Sequence, residues 1–371
     1  MRRSYYSAVL LIMIIMLSFA ALVSCGKKQE IAPPESSSVT EESSTVSEPV
    51  SSEEPESSAE PEEIPSEYTS LTTGITYDTV QNFYPVQVMI ENTKEARPQT
   101  GLNEADIIYE APVEYTITRF TCIFNDHHPV VAGPVRSLRM NFLGIQTEWD
   151  SILVHYGGPE NKGEEWSIYG PTYDNIQITM NGVWGKHEKY FWRSSDRKAP
   201  HNAYTDVKFI ADSFPDFRST KEEFWKHSTH PSTSEKTATS IKIPFVRTNP
   251  TIEFRYDQET GMYDRYEDGE RFKTYRNTDK DTRTTEEVSV NNLIVQYVPM
   301  KTAPDGHRVI YMTGSGKCEA FIGGKQITGT WERTSDTSLT HFYDENGNDI
   351  VLAVGTTWIC VQPDSGSITV E

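Results

Sequence analysis

The residue pattern predicts an α/β domain followed by a mainly antiparallel β domain, and three observations carry that expectation. Strand-like and helix-like apolar patterns alternate between residues 84 and 214, in the order strand, loop, helix, strand. Beyond Ile241 only short alternating runs recur, separated by Gly-containing turns such as "FIGGKQ" and "DENGND". Between them lies a polar stretch, 216–240, "DFRSTKEEFWKHSTHPSTSEKTATS", read as a linker. The expected organisation is therefore a signal peptide at 1–25, a tether at 26–70, an α/β domain at 71–215, the linker, and a mainly β domain at 241–371.

The chain opens "MRRSYYSAVLLIMIIMLSFAALVSCG", with Arg2 and Arg3 ahead of an apolar run from Ala8 to Val23 broken only by Ser18. That run is short for a spanning helix and reads as a secretory signal, the alternative being an uncleaved N-terminal anchor. Leu22-Val23-Ser24-Cys25 matches the bacterial lipobox, in which the Cys25 sulfur takes a diacylglycerol and becomes the mature N-terminus. Two acyl chains hold a protein stably on a bilayer. The expected location is the outer face of the bacterial cell membrane.

Residues 30–67 hold twelve Glu and no Lys or Arg, with many Ser and Pro and little to bury, so they read as an extended tether. More than half of the formal charge of −20 sits in that segment. The remaining body is still acidic, which argues against nucleic acid as a partner. Beyond Cys25 only Cys122, Cys318 and Cys360 occur, too few and too widely spaced for a disulfide framework or a zinc site. Cys318 and Cys360 are left as either a pair or two buried thiols.

In the first domain "YPVQVMIEN", Ile107-Ile108-Tyr109 and "YTITRFTCIFND" read as strands. "RMNFLGIQTEWD" reads as a short amphipathic helix, "SILVHYGG" as a buried strand, and "HNAYTDVKFIADSF" as a turn entering a helix. Residues 160–200 read as long ordered loops carrying Trp166, Tyr169, Tyr173, Trp184, Tyr190 and Trp192, either loop packing or platforms for a sugar. "TGSGK" at 313–317 lacks the spacing of a phosphate loop and reads as a hairpin.

"ARPQTGLNEADIIYEAPVEYTITRF", "GPVRSLR", "HYGG", "RKAPHN", and the late "GTWER", "HFYDENGNDI" and "GTTWICVQP" together resemble the YerB-like lipoproteins of Gram-positive bacteria. The two-part body of that family is a domain of unknown function. The resemblance covers nearly all of 84–363 and implies an exported lipoprotein with an α/β part and a β part; it implies no reaction. One departure stands in "APVEYTITRF", where the family pattern has a Gly before the Ile-Thr-Arg.

Arginine's planar fork matches carboxylate and phosphate oxygens in pairs, so Arg119, Arg136, Arg139, Arg193 and Arg197 are the candidate anion contacts. The alternative is structural pairing with Glu104, Asp106, Glu110 or Glu114. Ser137 is placed as an N-cap, with Arg136 and Arg139 on one helix face if the helix begins there. His155 ends a buried strand, where open α/β sheets bind ligands, or is a packed core histidine. His201 and Asn202 either orient a ligand or close a turn.

No nucleophile elbow, phosphate loop or metalloprotease motif is present, and no cofactor is expected. The favoured reading is an anchored lipoprotein whose arginine-rich cleft binds an anionic cell-wall polymer, lipid-linked ligand or envelope protein. The alternative is an enzyme on a phosphate-linked envelope substrate, similar in layout to LytR-CpsA-Psr phosphotransferases. There Asp106 would help hold Mg²⁺ while Arg119, Arg136 and Arg139 clamp phosphates. A solute-binding lipoprotein ranks last, because it needs two similar α/β lobes.

Overall fold

Central strands buried along nearly their whole length, with side chains alternating between the two sides, give the molecule a sheet with two apolar faces. The computed structural model describes residues 66–245 and 251–371; the signal peptide, Cys25 and most of the acidic tether lie outside the described residues. Ten strands form one mixed sheet, in the order His341–Asp344, Lys325–Arg333, Gly314–Ile322, Asn292–Val298, Thr357–Pro363, Ile107–Glu114, Ile117–Phe124, Val86–Glu91, Ile152–His155, Thr179–Asn181. Thr357–Pro363 runs parallel both to Asn292–Val298 and to Ile107–Glu114, so the sheet is continuous across the two sequence halves. The N-terminal half mixes strands with helices, and the C-terminal half is almost wholly antiparallel strand.

On one face Val88, Ile90, Phe120, Cys122, Leu293 and Trp358 meet Phe254, Tyr263 and Val290. Those three belong to or flank a second, antiparallel sheet built on Ser240–Ile243, Ile252–Asp257 and Met262–Glu267. On the other face Met89, Tyr109, Ile123, Leu153 and Ile294 meet Phe142, Ile145 and Trp149 of the helix Met140–Trp149. Period-2 alternation thus feeds two cores from one sheet, each large side chain contributing about 1.5–3 kcal/mol of transfer free energy.

Several local expectations change in three dimensions. The helix begins at Met140, with Arg139 in an extended conformation at its N-cap and no side-chain cap. Ser137 instead donates to the carbonyl of Tyr156 at 3.1 Å, which ties the arginine loop to the neighbouring strand. Arg136 and Arg139 therefore precede the helix rather than sharing a face of it. "TGSGK" lies at the start of the Gly314–Ile322 strand, where Gly316 leaves room for the Trp331 indole: a Cβ there would lie 2.6 Å from its nitrogen. Cys318 and Cys360 are free thiols on opposite faces of the sheet, in different cores. Ser70, inside the expected tether, is buried and donates to Asp126 at 2.6 Å.

The second sheet carries charge inward. Arg265 and Glu267 share a face with Tyr263, and Arg265 has no solvent exposure. Its guanidinium reaches both carboxylate oxygens of Glu110 at 3.3 Å and Glu267 at 3.2 Å, and lies 3.8 Å from the Phe272 ring centre. Glu110 also accepts from Thr118 at 2.8 Å and Asn92 at 3.2 Å, while Arg97 pairs with the other oxygen of Glu267 at 2.5 Å. Burial opposes the charge on Arg265, yet Glu110 and Glu267 outweigh it and raise its pKa.

Removing one member of such a network strands a buried charge. Arg265→Met is expected to lower the unfolding free energy by about 3–5 kcal/mol, read from urea denaturation, with partial recovery when Glu110→Gln is added. The turn that holds the family departure also carries a strained residue, just ahead of Thr116. Tyr115, in the Glu114-to-Ile117 turn, has φ 44° and is 71% exposed. A left-handed non-Gly residue costs roughly 1–2 kcal/mol, partly offset by the roughly 0.4–1 kcal/mol entropy penalty of glycine, so Tyr115→Gly is expected to stabilise the chain by about 1 kcal/mol in the same assay.

Candidate functional site

Glu91, Glu114 and His155 stand at the carboxyl ends of strands that run in one direction, which is the edge where open sheets present ligand sites. Arg119 begins its antiparallel strand at this edge, directly opposite Glu91 on one side and Ala111 on the other. The strand geometry alone therefore places acids and arginines together.

The acids take up most of the arginines. Glu91 is fully buried and accepts from His201 Nδ1 and Thr93 Oγ1, both at 2.9 Å, with Arg136 Nε at 3.3 Å. Arg119 donates to the carbonyl of Ser137 at 2.8 Å and lies 3.8 Å from Glu114. Arg139 donates Nε–H to the same Glu114 at 2.5 Å and a further N–H to the carbonyl of Leu138. Burial pushes Arg119 down to about 10, helped by the neighbouring Arg136. Arg139 falls to about 10 through burial as well, and both remain charged at neutral pH. Arg136, a quarter exposed, is the most accessible of the three. Glu91 was not singled out by the sequence reading, since a single Glu in an apolar strand carries no motif.

His155 faces the other way, into the core. Its Nδ1 meets the carbonyl of Gly157 at 2.8 Å and its Nε2 the Tyr173 hydroxyl at 2.9 Å. Burial drops its pKa to about 4, so the ring is neutral at physiological pH. Asp106 is also set apart. It precedes Ala111, the partner of Arg119, by five residues, roughly 17 Å at the ordinary rise of a strand. One carboxylate oxygen accepts from Thr72 Oγ1 and the amides of Asn125 and Asp126, and burial together with Asp126 raises its pKa. Those residues do not fit a Mg²⁺ site facing the arginines.

One of the remaining candidates reaches an open cleft of about 490 Å³. Arg193 lines it, donating to Asn202 Oδ1 at 2.8 Å with its guanidinium 4.9 Å from the Tyr156 ring centre. Asn202 in turn donates to the carbonyls of Ser194 and Arg197, which holds the loop in shape. Arg197 is spent beside the cleft, on the Tyr204 hydroxyl at 2.5 Å and the Pro98 carbonyl at 2.6 Å. Trp192 stacks on Tyr204, ring centres 6.2 Å apart and planes at 26°. The other loop aromatics, Tyr169, Tyr173, Trp184 and Tyr190, form an edge-to-face chain through His187 and serve packing.

The opposite wall comes from the second half. Strand Lys273–Asn277 pairs in parallel with Gln99–Thr100 and brings Lys280 to 4.7 Å from the Trp192 ring centre. Arg283 pairs with Asp196 at 2.8 Å across the cleft. No local pattern in the sequence marks Lys280 or Arg283, because the pairing that delivers them spans about half the chain.

Residues 72–220 match the family described as "Protein of unknown function (DUF3048) N-terminal domain", and 241–359 its C-terminal domain. The chain is 30% identical over 310 residues to "Putative lipoprotein YerB" of Bacillus subtilis (strain 168), covering 81% of this chain and 87% of the relative. This chain belongs to the DUF3048 family. The crystal structure of YerB protein from Bacillus subtilis superposes with a TM-score of 0.66 at 28% identity, over 81% of this chain and 99% of that one. The DUF3048 body thus comprises two matched segments that share one sheet here.

The buried neutral His155 has a measurable consequence. Its folded pKa, about 4, lies below the unfolded value of about 6.5, so the unfolded chain takes up its proton first. Stability is full above pH ~6.5 and falls as the pH drops from there toward ~4. His227, also near 4 through burial, adds the same sign. Urea unfolding across pH 4–7 should show this fall, with His155→Gln shallower by up to one proton.

Proposed function

We propose that this chain is an extracytoplasmic lipoprotein, anchored through diacylglycerol on Cys25, that holds an anionic cell-envelope ligand in the cleft between residues 192–204 and 277–283. The naming of its relative as a lipoprotein supports the anchor, together with the basic start, apolar run and lipobox ending at Cys25. One observation carries the ligand class: Arg193, Lys280 and Arg283 line the same cleft as the stacked Trp192 and Tyr204, with Lys280 over the Trp192 ring and Arg283 over that of Tyr275. Asp196 already holds Arg283, while Asp281 sits at the rim, so the ligand exchanges an internal partner for its own oxygens.

Guanidinium groups bind phosphate or carboxylate oxygens in pairs, and an aromatic face adds apolar area with few rotamers to lose. A sugar or polyol phosphate of a wall polymer satisfies both features. Arg119, Arg136 and Arg139 act behind the cleft as the ion-paired frame of Glu91 and Glu114, and His201 and Asn202 orient the loop that carries Arg193.

The full chain in detergent micelles should retain poly(glycerol phosphate) and ignore uncharged dextran. Arg193→Ala and Arg283→Ala are each expected to weaken retention roughly tenfold, about 1.4 kcal/mol. Retention indifferent to both substitutions would remove the cleft as the site. Loss of diacylglycerol labelling in Cys25→Ala tests the anchor separately.

A further inference from the structure

A second, unrelated feature runs along the helix Met140–Trp149 on the other face of the molecule's sheet core. Two cavities, of about 640 Å³ and about 230 Å³, adjoin there and share Thr147, Thr172 and Asp336. Asn141, Gly144 and Thr147, spaced three apart, line this groove on successive turns of the helix.

Two of these residues lack an internal reason for their chemistry. Asn141 is 3% exposed, and neither its amide oxygen nor its amide nitrogen has a hydrogen-bond partner among the described residues. A buried amide left unpaired is destabilising, and a leucine of similar size would remove the penalty. Gly144 sits mid-helix, where glycine is a poor choice. A Cβ there would meet nothing closer than Arg333 Nη1 at 3.9 Å, so packing does not demand its absence. Both residues make sense if something outside the chain approaches the helix and uses the amide.

The lining identifies what approaches. At one end Met140, Leu143, Ile310 and Met312 offer an apolar hole beside Asn141. At the other, Asp150, Glu222, Glu223 and Asp336 face Lys221, while Arg333, between the two ends, is taken up by Glu148. Asp150 accepts from Thr220 and Gln177, Glu223 lies 3.2 Å from His341, and Lys221 donates to the Thr337 carbonyl at 3.3 Å; the end stays net acidic. A side-chain amide offers one acceptor and a donor pair, the complement of the C=O and N–H that one peptide residue presents.

We propose that this groove binds an extended peptide, its backbone paired over Gly144 to the Asn141 amide, which turns out from its closed position to meet it, with an apolar side chain among Met140, Leu143, Ile310 and Met312 and a basic residue at the acidic end. The ten-residue helix offers a floor about 15 Å long. Four or five extended residues, at roughly 3.3–3.6 Å each, match it. The occupant is cationic and peptidic, so this groove and the anion cleft serve different ligands.

The test uses the full chain in detergent micelles and two end-blocked, fluorescent pentapeptides, Ala-Leu-Ala-Lys-Lys and its reverse, read by polarisation. At least one orientation should bind, and the counterpart with Glu in place of both Lys should bind at least tenfold more weakly. Asn141→Leu and Gly144→Ala should each weaken binding tenfold or more while leaving the thermal midpoint equal or raised by roughly 2–4 °C. A lowered midpoint in both variants would make the two residues structural and overturn the proposal. So would binding that ignores both substitutions, or no binding in either orientation.

Discussion

Arg265 brings a positive charge to a place without solvent, between the central sheet and the sheet that covers it. Glu110 reaches it from the first sequence half and Glu267 from the second, with Thr118 and Asn92 completing the hydrogen bonds of Glu110. A buried ion pair gains little over an apolar core of equal volume, but a mispaired one is heavily penalised. The network therefore acts on register: the second sheet can seat Arg265 over Phe272 and Trp358 only where both carboxylates meet it. That seating also sets the course of the strand through Lys273–Asn277, and with it the wall bearing Lys280 and Arg283.

At the sheet edge the same logic turns carboxylates into organisers. Glu91 and Glu114 sit at strand ends whose directions are fixed by the ladder, and each collects nitrogen-bearing side chains from several segments: His201 and Arg136 on one, Arg119, Arg139 and His307 on the other. Arginines that read as ligand contacts one by one become a frame once their partners are placed. The cations left for a ligand are Arg193 and Arg283 at strand ends and Lys280 in the turn after Lys273–Asn277, with fewer buried acids in reach.

Much of the fold was legible in the residues. The strands around Val88, Ile108 and Cys122, the helix that buries Phe142 and Trp149, and the turns at "FIGGKQ" and "DENGND" follow from periodicity and turn chemistry, which are local. Where local signals competed, tertiary contacts decided. Ser137 is a good cap by type, yet its hydroxyl serves the Tyr156 carbonyl because the arginine loop is already tied into the strand ladder. Gly314 and Gly316 read as a turn, yet Gly316 is a strand residue that makes room for Trp331. Of the candidate site, Arg193 and Asn202 were visible; Glu91, Lys280 and Arg283 were not.

By itself the sequence determined the export signal and lipobox reading, the acidic segment, the mixed first half and the β-rich second, and the membership that its motifs share with DUF3048. Each depends on composition or on residues close along the chain. Only the tertiary structure decided that the halves share one sheet, that Arg265 joins them, which arginines are occupied, and where the cleft and the helix groove lie. These depend on pairings between residues a hundred or more positions apart, and period-2 and period-3.6 patterns say which face is buried without saying what it is buried against.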